Sequence, residues 1–207
     1  MTRFPLFALL AALAVAAGCA EPDPPPQPMV EPKPLPPPPP PPPAEGPGVD
    51  TVYVEGDPVL VNVAPYETPL GFPLPFTARL PEGIAAESVA SGEGDAIVFA
   101  WEDAEGASLR LFVPADAATD AAAAAELAAA QGATESLSNR PEWSRASFVS
   151  PDSNDPYVTV HLTRHADRPL IVTRSATWEM GETLGPRLFY VLDRIRWADT
   201  GRLLIDG

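Results

Sequence analysis

From Val49 onward, apolar and polar residues alternate with a period of two over most of the chain. This pattern is typical of β-strands that bury one face. In residues 95–101, Ile97, Phe99 and Trp101 share one face, and smaller apolar residues occupy the other. The predicted strands are residues 50–55, 59–63, 95–101, 109–113, 145–150, 157–164 and 168–177. Short turns such as 102–106 and 166–167 join neighbouring strands, which predicts antiparallel hairpins.

Two segments follow the helical period instead. Residues 119–131 are rich in alanine, with Thr119 as the predicted N-cap and Gly132 as the stop signal. A second helix is predicted around Pro186, which suits the first turn of a helix. Its apolar stripe consists of Leu184, Leu188, Val191, Leu192 and Ile195, with Trp197 after it. The sequence therefore predicts an α+β domain, an antiparallel sheet with the alanine-rich helix and the C-terminal helix packed on it.

The N-terminal segment has the order of a secretory signal. Arg3 gives a positive start, residues 4–17 are apolar, and small residues lead to Gly18 and Cys19. The apolar run is shorter than the ~20 residues that cross a bilayer as a helix. Ala16-Ala17-Gly18-Cys19 resembles the lipobox of bacterial lipoproteins. This resemblance implies cleavage between Gly18 and Cys19, with diacylglycerol on the Cys19 thiol and acylation of the new amine. The alternative is an ordinary secretory signal.

The location of the protein follows from this resemblance. A lipid on Cys19 would anchor the chain to a membrane of the cell envelope. The residue after Cys19 is Ala20 rather than the aspartate that retains enteric lipoproteins in the inner membrane. In an organism with two membranes, the resemblance therefore implies the outer membrane, with the protein facing the periplasm.

Residues 19–48 predict a tether. Of the 29 prolines, 16 lie in this segment, and residues 36–43 are all proline. Such a segment is predicted to be disordered or extended as polyproline II, and at ~3.1 Å per residue its part from 21 to 48 would reach on the order of 85 Å. The tether would hold a globular domain, residues 49–207, away from the membrane. The alternative is a ligand for a proline-binding domain.

The chain carries a formal net charge of −15. The excess lies in residues 45–135, with sixteen acidic and two basic residues, whereas residues 136–207 carry nine of each. An acidic surface repels nucleic acid, so no nucleic-acid partner is expected. Solubility explains the acidic excess, and calcium or a basic partner is the alternative.

The order of elements resembles PsbP-like domains. The residues that carry the resemblance are Phe76-Thr-Ala-Arg-Leu-Pro-Glu-Gly83, the paired strands, the alanine-rich helix and Gly185-Pro-Arg-Leu-Phe-Tyr-Val-Leu-Asp-Arg-Ile-Arg-Trp197. This resemblance covers roughly residues 66–197. It implies an α/β/α sandwich with an accessory or binding role, and it carries over no functional residue.

The sequence contains no recognisable catalytic constellation. His161 and His165 stand about 13 Å apart along a predicted strand, too far for one ion, and His161 is predicted to face outward. The acidic turns 102–105 and 152–155 do not fit a calcium loop and are typical turn formers. A Gly-x-Ser-x-Gly elbow and a phosphate loop are missing, and the single cysteine is Cys19. No catalytic residue, metal or cofactor is therefore predicted.

Arginines accumulate in the last strands and the final helix. Arg164, Arg168, Arg174, Arg187 and Arg194 form the candidate partner-binding set, because interfaces favour arginine. Surface ion pairing with the acidic half is the alternative.

These observations favour a non-catalytic lipoprotein whose domain binds another envelope protein or supports an assembly. A small-ligand- or ion-binding periplasmic domain is the first alternative. A cryptic hydrolase, with a triad assembled from distant residues, is the second.

Overall fold

The computed structural model describes residues 47–101 and 106–206. It is an α+β domain in which the paired strands of both sheets run antiparallel, as predicted. The signal segment, Cys19 and the tether up to residue 46 lie outside the described residues, as does the acidic turn 102–105.

The structure contains these elements within its described ranges. The strands are β1 (Gly48–Val54), β2 (Asp57–Glu67), β3 (Phe76–Pro81), β4 (Ile84–Ser91), β5 (Gly94–Trp101), β6 (Ala107–Pro114), β7 (Glu135–Ser136), β8 (Ala146–Val149), β9 (Tyr157–His165), β10 (Arg168–Ala176) and β11 (Arg196–Trp197). The helices are α1 (Ala121–Ala129), α2 (Trp178–Gly181) and α3 (Gly185–Asp193), followed by a 3₁₀ turn at Leu204–Asp206.

The larger sheet has seven strands in the order β4-β5-β6-β10-β9-β8-β7. A smaller sheet has the order β1-β2-β3-β11. In the larger sheet, β9 and β10 form a long hairpin that pairs Arg168 with His165 and Ala176 with Tyr157. Its turn is formed by Ala166 and Asp167, both with positive φ, which confirms the predicted connection.

One face of the larger sheet is covered by α1. The helix is nearly all alanine, so its backbone lies close to the sheet through the fully buried Ala124 and Ala128. On the sheet side, these alanines share a core with Val160, Leu162 and Ile171. The alanine-rich helix therefore packs on the sheet as predicted.

The start of α1 corrects one prediction. Asp120, not Thr119, is the N-cap, because its Oδ1 accepts hydrogen bonds from the amides of Ala122 and Ala123 at 2.9 and 3.0 Å. The Thr119 hydroxyl donates instead to the carbonyl of Asp116 at 2.8 Å. A carboxylate accepts from two amides at once, so it satisfies more of the unpaired donors at the helix start than a hydroxyl does.

The opposite face of the sheet is covered by α3, as predicted. The whole predicted stripe is buried in the main core with strand residues such as Phe99, Leu111 and Val172. On its other flank, Tyr190 of α3 packs on Val52 and Val63, so this helix also joins the smaller sheet to the core. No helix of the described part is long and apolar enough to cross a membrane.

Candidate functional site

A cavity of about 320 Å³ opens on the α3 side of the larger sheet. Strands β9 and β10 supply one wall, and α2 with the start of α3 supplies the other. Its lining residues are Asp152, Tyr157, Arg174, Ala176, Thr177, Trp178, Gly181, Gly185 and Phe189. We call it the Arg174 cavity. It falls within the size range of small-molecule pockets, ~300–1,000 Å³.

Arg174 is the charged group of the cavity wall. It occupies a core-facing position of β10, on the same face as the buried Leu170 and Val172. Its guanidinium lies over the ring of Phe189, 3.8 Å from the centroid. Its Nη1 is buried and has no hydrogen-bond partner in the described part of the chain. Burial lowers the pKa of Arg174, yet an arginine stays protonated at neutral pH.

A second buried polar atom lies next to Arg174. Thr159 pairs with Arg174 across the β9–β10 ladder, so the two side chains are neighbours on one face. The Thr159 hydroxyl is buried and, like the Arg174 Nη1, it has no hydrogen-bond partner among the described residues. Nearly all buried polar groups in native proteins are paired, so two neighbouring exceptions make this part of the sheet unusual.

Aromatic side chains form the rest of the wall. The rings of Tyr157 and Trp178 lie 6.2 Å apart between centroids and are tilted by 44°. The side chain of Trp178 is exposed, and its backbone amide donates to Oδ1 of Asp155 at 3.2 Å. Thr177 caps α2 with its hydroxyl. The aromatic surface is thus held in place by the capped turn that follows β10.

Two glycines leave the helical side of the cavity open. A Cβ added at Gly181 or at Gly185 would meet no atom within 4 Å, and neither residue has a positive φ. Gly185 begins α3, and no side chain caps that helix start. The partial positive charge of a helix N-terminus adds to that of Arg174.

The five predicted arginines do not share one face. Arg174 and Arg187 lie on the α3 side, but Arg187 sits over Trp101 at 4.8 Å and lines a different cavity, of about 520 Å³. Arg164 lies on the opposite face, where it donates to the carbonyls of Ala117 and Asp167.

The remaining two arginines are at the surface. Arg194 lies 3.9 Å from a carboxylate oxygen of Asp50 and 5.0 Å from the centroid of the Tyr190 ring. Arg168 is exposed at the start of β10. The contact between Arg194 and Asp50 is a surface ion pair between the arginine-rich and the acidic part of the chain, as the alternative for these arginines predicts.

The two histidines have separate environments. His165 stacks on Trp197 and pairs with Asp199 at 2.9 Å. His161 lies on the face opposite Val160, but the expectation that it faces outward is wrong. Its ring is half-buried against Trp143, with centroids 5.0 Å apart. The strand alternation gave the correct face, but that face is covered here because the segment before β8 folds over it.

His161 also contacts a serine, Ser147, at 2.7 Å between Nδ1 and Oγ. Ser144 Oγ lies 2.7 Å from the carbonyl of Ala146, so Ser144 donates its proton there. Ser147 Oγ lies 3.0 Å from Ser144 Oγ, so the Ser147 hydroxyl has two acceptors in reach, Ser144 and His161. The direction of the Ser147–His161 hydrogen bond follows the tautomer of His161.

A serine hydrolase needs a general base strong enough to accept the serine proton, and an accessible serine. Burial, and to a lesser extent the charge of Arg174, lowers the pKa of His161 to about 4, which makes the imidazole a weak base. Ser147 is moreover only 2% exposed. The pair is a structural contact rather than a nucleophile and its base.

Side chains that could bind a metal ion do not converge in the described part of the chain. Within residues 47–101 and 106–206, no three His, Cys, Asp or Glu side chains come together as a metal site would need. The acidic turn 102–105 lies outside the described residues. In the turn 152–155, Asp155 accepts from Trp178, and Asp152 belongs to the Arg174 cavity.

Sequence reasoning singled out Arg174 but missed the cavity. The signal that could have found the cavity is the position of Arg174 in the strand alternation. This position places it on the buried face of an apolar strand, where arginine is rarely found unpaired. Phe189 and Asp152 carried no such signal, since one lies beside a helix stripe and the other in a turn.

Comparisons with known proteins give no relative. No family model, curated protein or solved structure matches the chain.

Proposed function

We propose that this chain is a lipid-anchored envelope protein whose domain is a non-catalytic binding module for a small ligand with an anionic group. The observation that carries the proposal is Arg174, a half-buried cation in the wall of a ligand-sized cavity, whose buried Nη1 has no hydrogen-bond partner among the described residues. Partly burying an unpaired charge costs stability, so such a residue suggests a functional reason for its presence.

A small ligand fits this wall better than a protein partner does. The cavity is concave, aromatic on one side, and carries few charged groups, which is the usual composition of a small-molecule site. A hydrolase lacks support, because Ser147 is buried and the low pKa of His161 makes its imidazole a weak base. The five arginines, spread over both faces of the sheet, lend no support to a single arginine-rich docking face.

Binding of another envelope protein is the second candidate. It is favoured by the outer face of the β1–β2 hairpin, where Val49, Tyr53 and Leu60 are exposed and charged residues are few. Exposed apolar patches often mark protein contacts.

A PsbP-like sandwich remains a proposal for the architecture. Its support is the position of α1 on one face of the larger sheet and of α3 on the other. An accessory or binding role would agree with the proposed function.

The anchor is tested with the Cys19→Ser variant. We expect the native protein in the membrane fraction, carrying label from radioactive palmitate, and the variant unlabelled and released from the membrane, because Cys19 supplies the only thiol. A labelled Cys19→Ser protein would contradict lipidation at this residue.

Ligand binding is tested on the full chain carrying Cys19→Ser, by thermal shift with phenylacetate, phenylalanine, phosphate and sulfate. At ~100 times Kd, a ligand should raise Tm by about 5–10 °C. Adding Arg174→Met should abolish the shift while leaving the fold at least as stable, because methionine fills a similar space without a buried charge. Arg168→Gln is the matched control, an exposed arginine of the same strand.

Two results would contradict the proposal. One is that no compound in the panel shifts Tm. The other is that Arg174→Met and Arg168→Gln respond to the ligand equally.

A further inference from the structure

We propose that the ligand of the Arg174 cavity is a zwitterion of the amino-acid type, with a carboxylate, an ammonium group and an apolar side chain. This inference rests on the proposed function and specifies the ligand class. It depends on three features of the same wall, namely one cation, one carboxylate and a pair of aromatic faces.

The carboxylate of the ligand is assigned to Arg174. The guanidinium is planar and offers paired N–H donors that match the two oxygens of a carboxylate. One guanidinium face is already occupied by the Phe189 ring at 3.8 Å, which leaves the edge for an in-plane contact.

The ammonium group of the ligand is assigned to Asp152 and the aromatic pair. Asp152 is the acidic residue of the lining, and it is exposed. The rings of Tyr157 and Trp178 belong to the same lining, and the faces of aromatic rings attract cations. A cavity with a cation and an anion in its wall matches a ligand that carries both charges.

The charge of the whole chain supports the same assignment. At a net charge of −15, the protein repels a free anion during its approach. A zwitterion has no net charge and avoids this repulsion, while its carboxylate still reaches Arg174 within the cavity. The lining itself carries one basic and one acidic side chain, Arg174 and Asp152.

The experiment is titration calorimetry on the full chain carrying Cys19→Ser. The probes are phenylalanine and leucine, their N-acetyl derivatives, which lack the ammonium charge, and their amides, which lack the carboxylate. We expect each masked derivative to bind at least ~10-fold more weakly than its parent amino acid, because each loses one charge-assisted contact.

Variants assign each end of the ligand. Asp152→Asn should remove the preference of the protein for the amino acid over its N-acetyl derivative. Arg174→Met should remove the preference of the protein for the amino acid over its amide. Asp57→Asn is the control for the first, an exposed aspartate at the start of β2. Gly181→Leu should block the cavity and abolish binding, whereas Gly92→Leu, at another open position, should not.

The outcomes separate the two proposals. If the N-acetyl derivatives bind as tightly as the amino acids, with Arg174→Met still abolishing binding, the zwitterion is excluded and the anion site stands. If phenylalanine and leucine do not bind but phenylacetate or phosphate does, the zwitterion is again excluded. If nothing binds in an Arg174-dependent way, both proposals fail.

Discussion

Replacing Phe99 by alanine should lower the free energy of unfolding by about 3–5 kcal/mol. Phe99 is 0% exposed and lies where both sheets meet. Its ring contacts Tyr66 edge-on at 5.4 Å and Phe76 at 6.4 Å between centroids. These two residues belong to β2 and β3, so the cavity left by alanine would loosen the smaller sheet from the larger one.

The measurement is urea unfolding followed by tryptophan fluorescence, on the full chain with Cys19→Ser. A domain of this size is stable by only ~5–15 kcal/mol, so the loss would be a large share of the total. Val98→Ala is the matched control, because Val98 neighbours Phe99 on the opposite, less buried face of β5. We expect a loss below ~1 kcal/mol there. Equal losses for both variants would show that the two sheets do not share a core at Phe99.

The sequence predicted those parts of the fold in which large apolar residues contrast with polar neighbours. In β5, β6 and β9 the alternation is clear because the two faces of each strand carry side chains of different size or polarity. Strand β10 is apolar without alternation over residues 169–172, because both of its faces are buried, and such a short apolar run also predicts a strand. The stripe of α3 was equally clear, since the helix buries one side against both sheets. Strong burial on one face produces a strong sequence pattern.

The parts that the sequence did not predict lack this contrast. Strand β4 begins with Ile84 but continues with alanine, glutamate and serine, because it lies at the edge of the larger sheet and is mostly exposed. Strand β3 follows a proline-rich segment that obscures its start. The division into two sheets was also missed, because it depends on contacts far apart in sequence, such as Arg196 with Thr77.

The candidate site was only partly predictable for the same reason. Arg174 could be noticed, since a charged residue at a core-facing strand position is unusual. The cavity itself arises from the packing of α2 and the start of α3 against the strand ends. The lining residue Phe189 lies 15 positions after Arg174, and no local pattern joins the two.

The second large effect is a loss of stability in acid that depends on His161. Its pKa is about 4 in the fold, against an ordinary value of 6.5, mainly because burial disfavours the charged ring. Between these two values the unfolded chain binds more protons than the folded one. The stability contribution is therefore complete above pH 6.5, and we expect it to fall by about 2–3 kcal/mol as the pH drops to 4.

The comparison is between the Cys19→Ser protein and its His161→Gln variant, unfolded with urea at pH 7, 5 and 4. Glutamine can still form a hydrogen bond with Ser147, as donor or acceptor, but does not titrate, so the variant should lose less stability in acid. His165→Gln is the matched control and should retain the full loss, because it leaves His161 unchanged. An NMR titration in which the His161 ring titrates near pH 6.5 would contradict the prediction.

The same titration reports on the Arg174 cavity. The charge of Arg174 is the second cause of the low His161 pKa, after burial. Arg174→Met should therefore raise this pKa, though not to its ordinary value, because the ring stays buried. A carboxylate bound to Arg174 should also raise it, since the negative charge offsets that of the guanidinium. An increase that appears with ligand in the parent protein, and not in Arg174→Met, would locate the bound carboxylate at this arginine independently of the calorimetry.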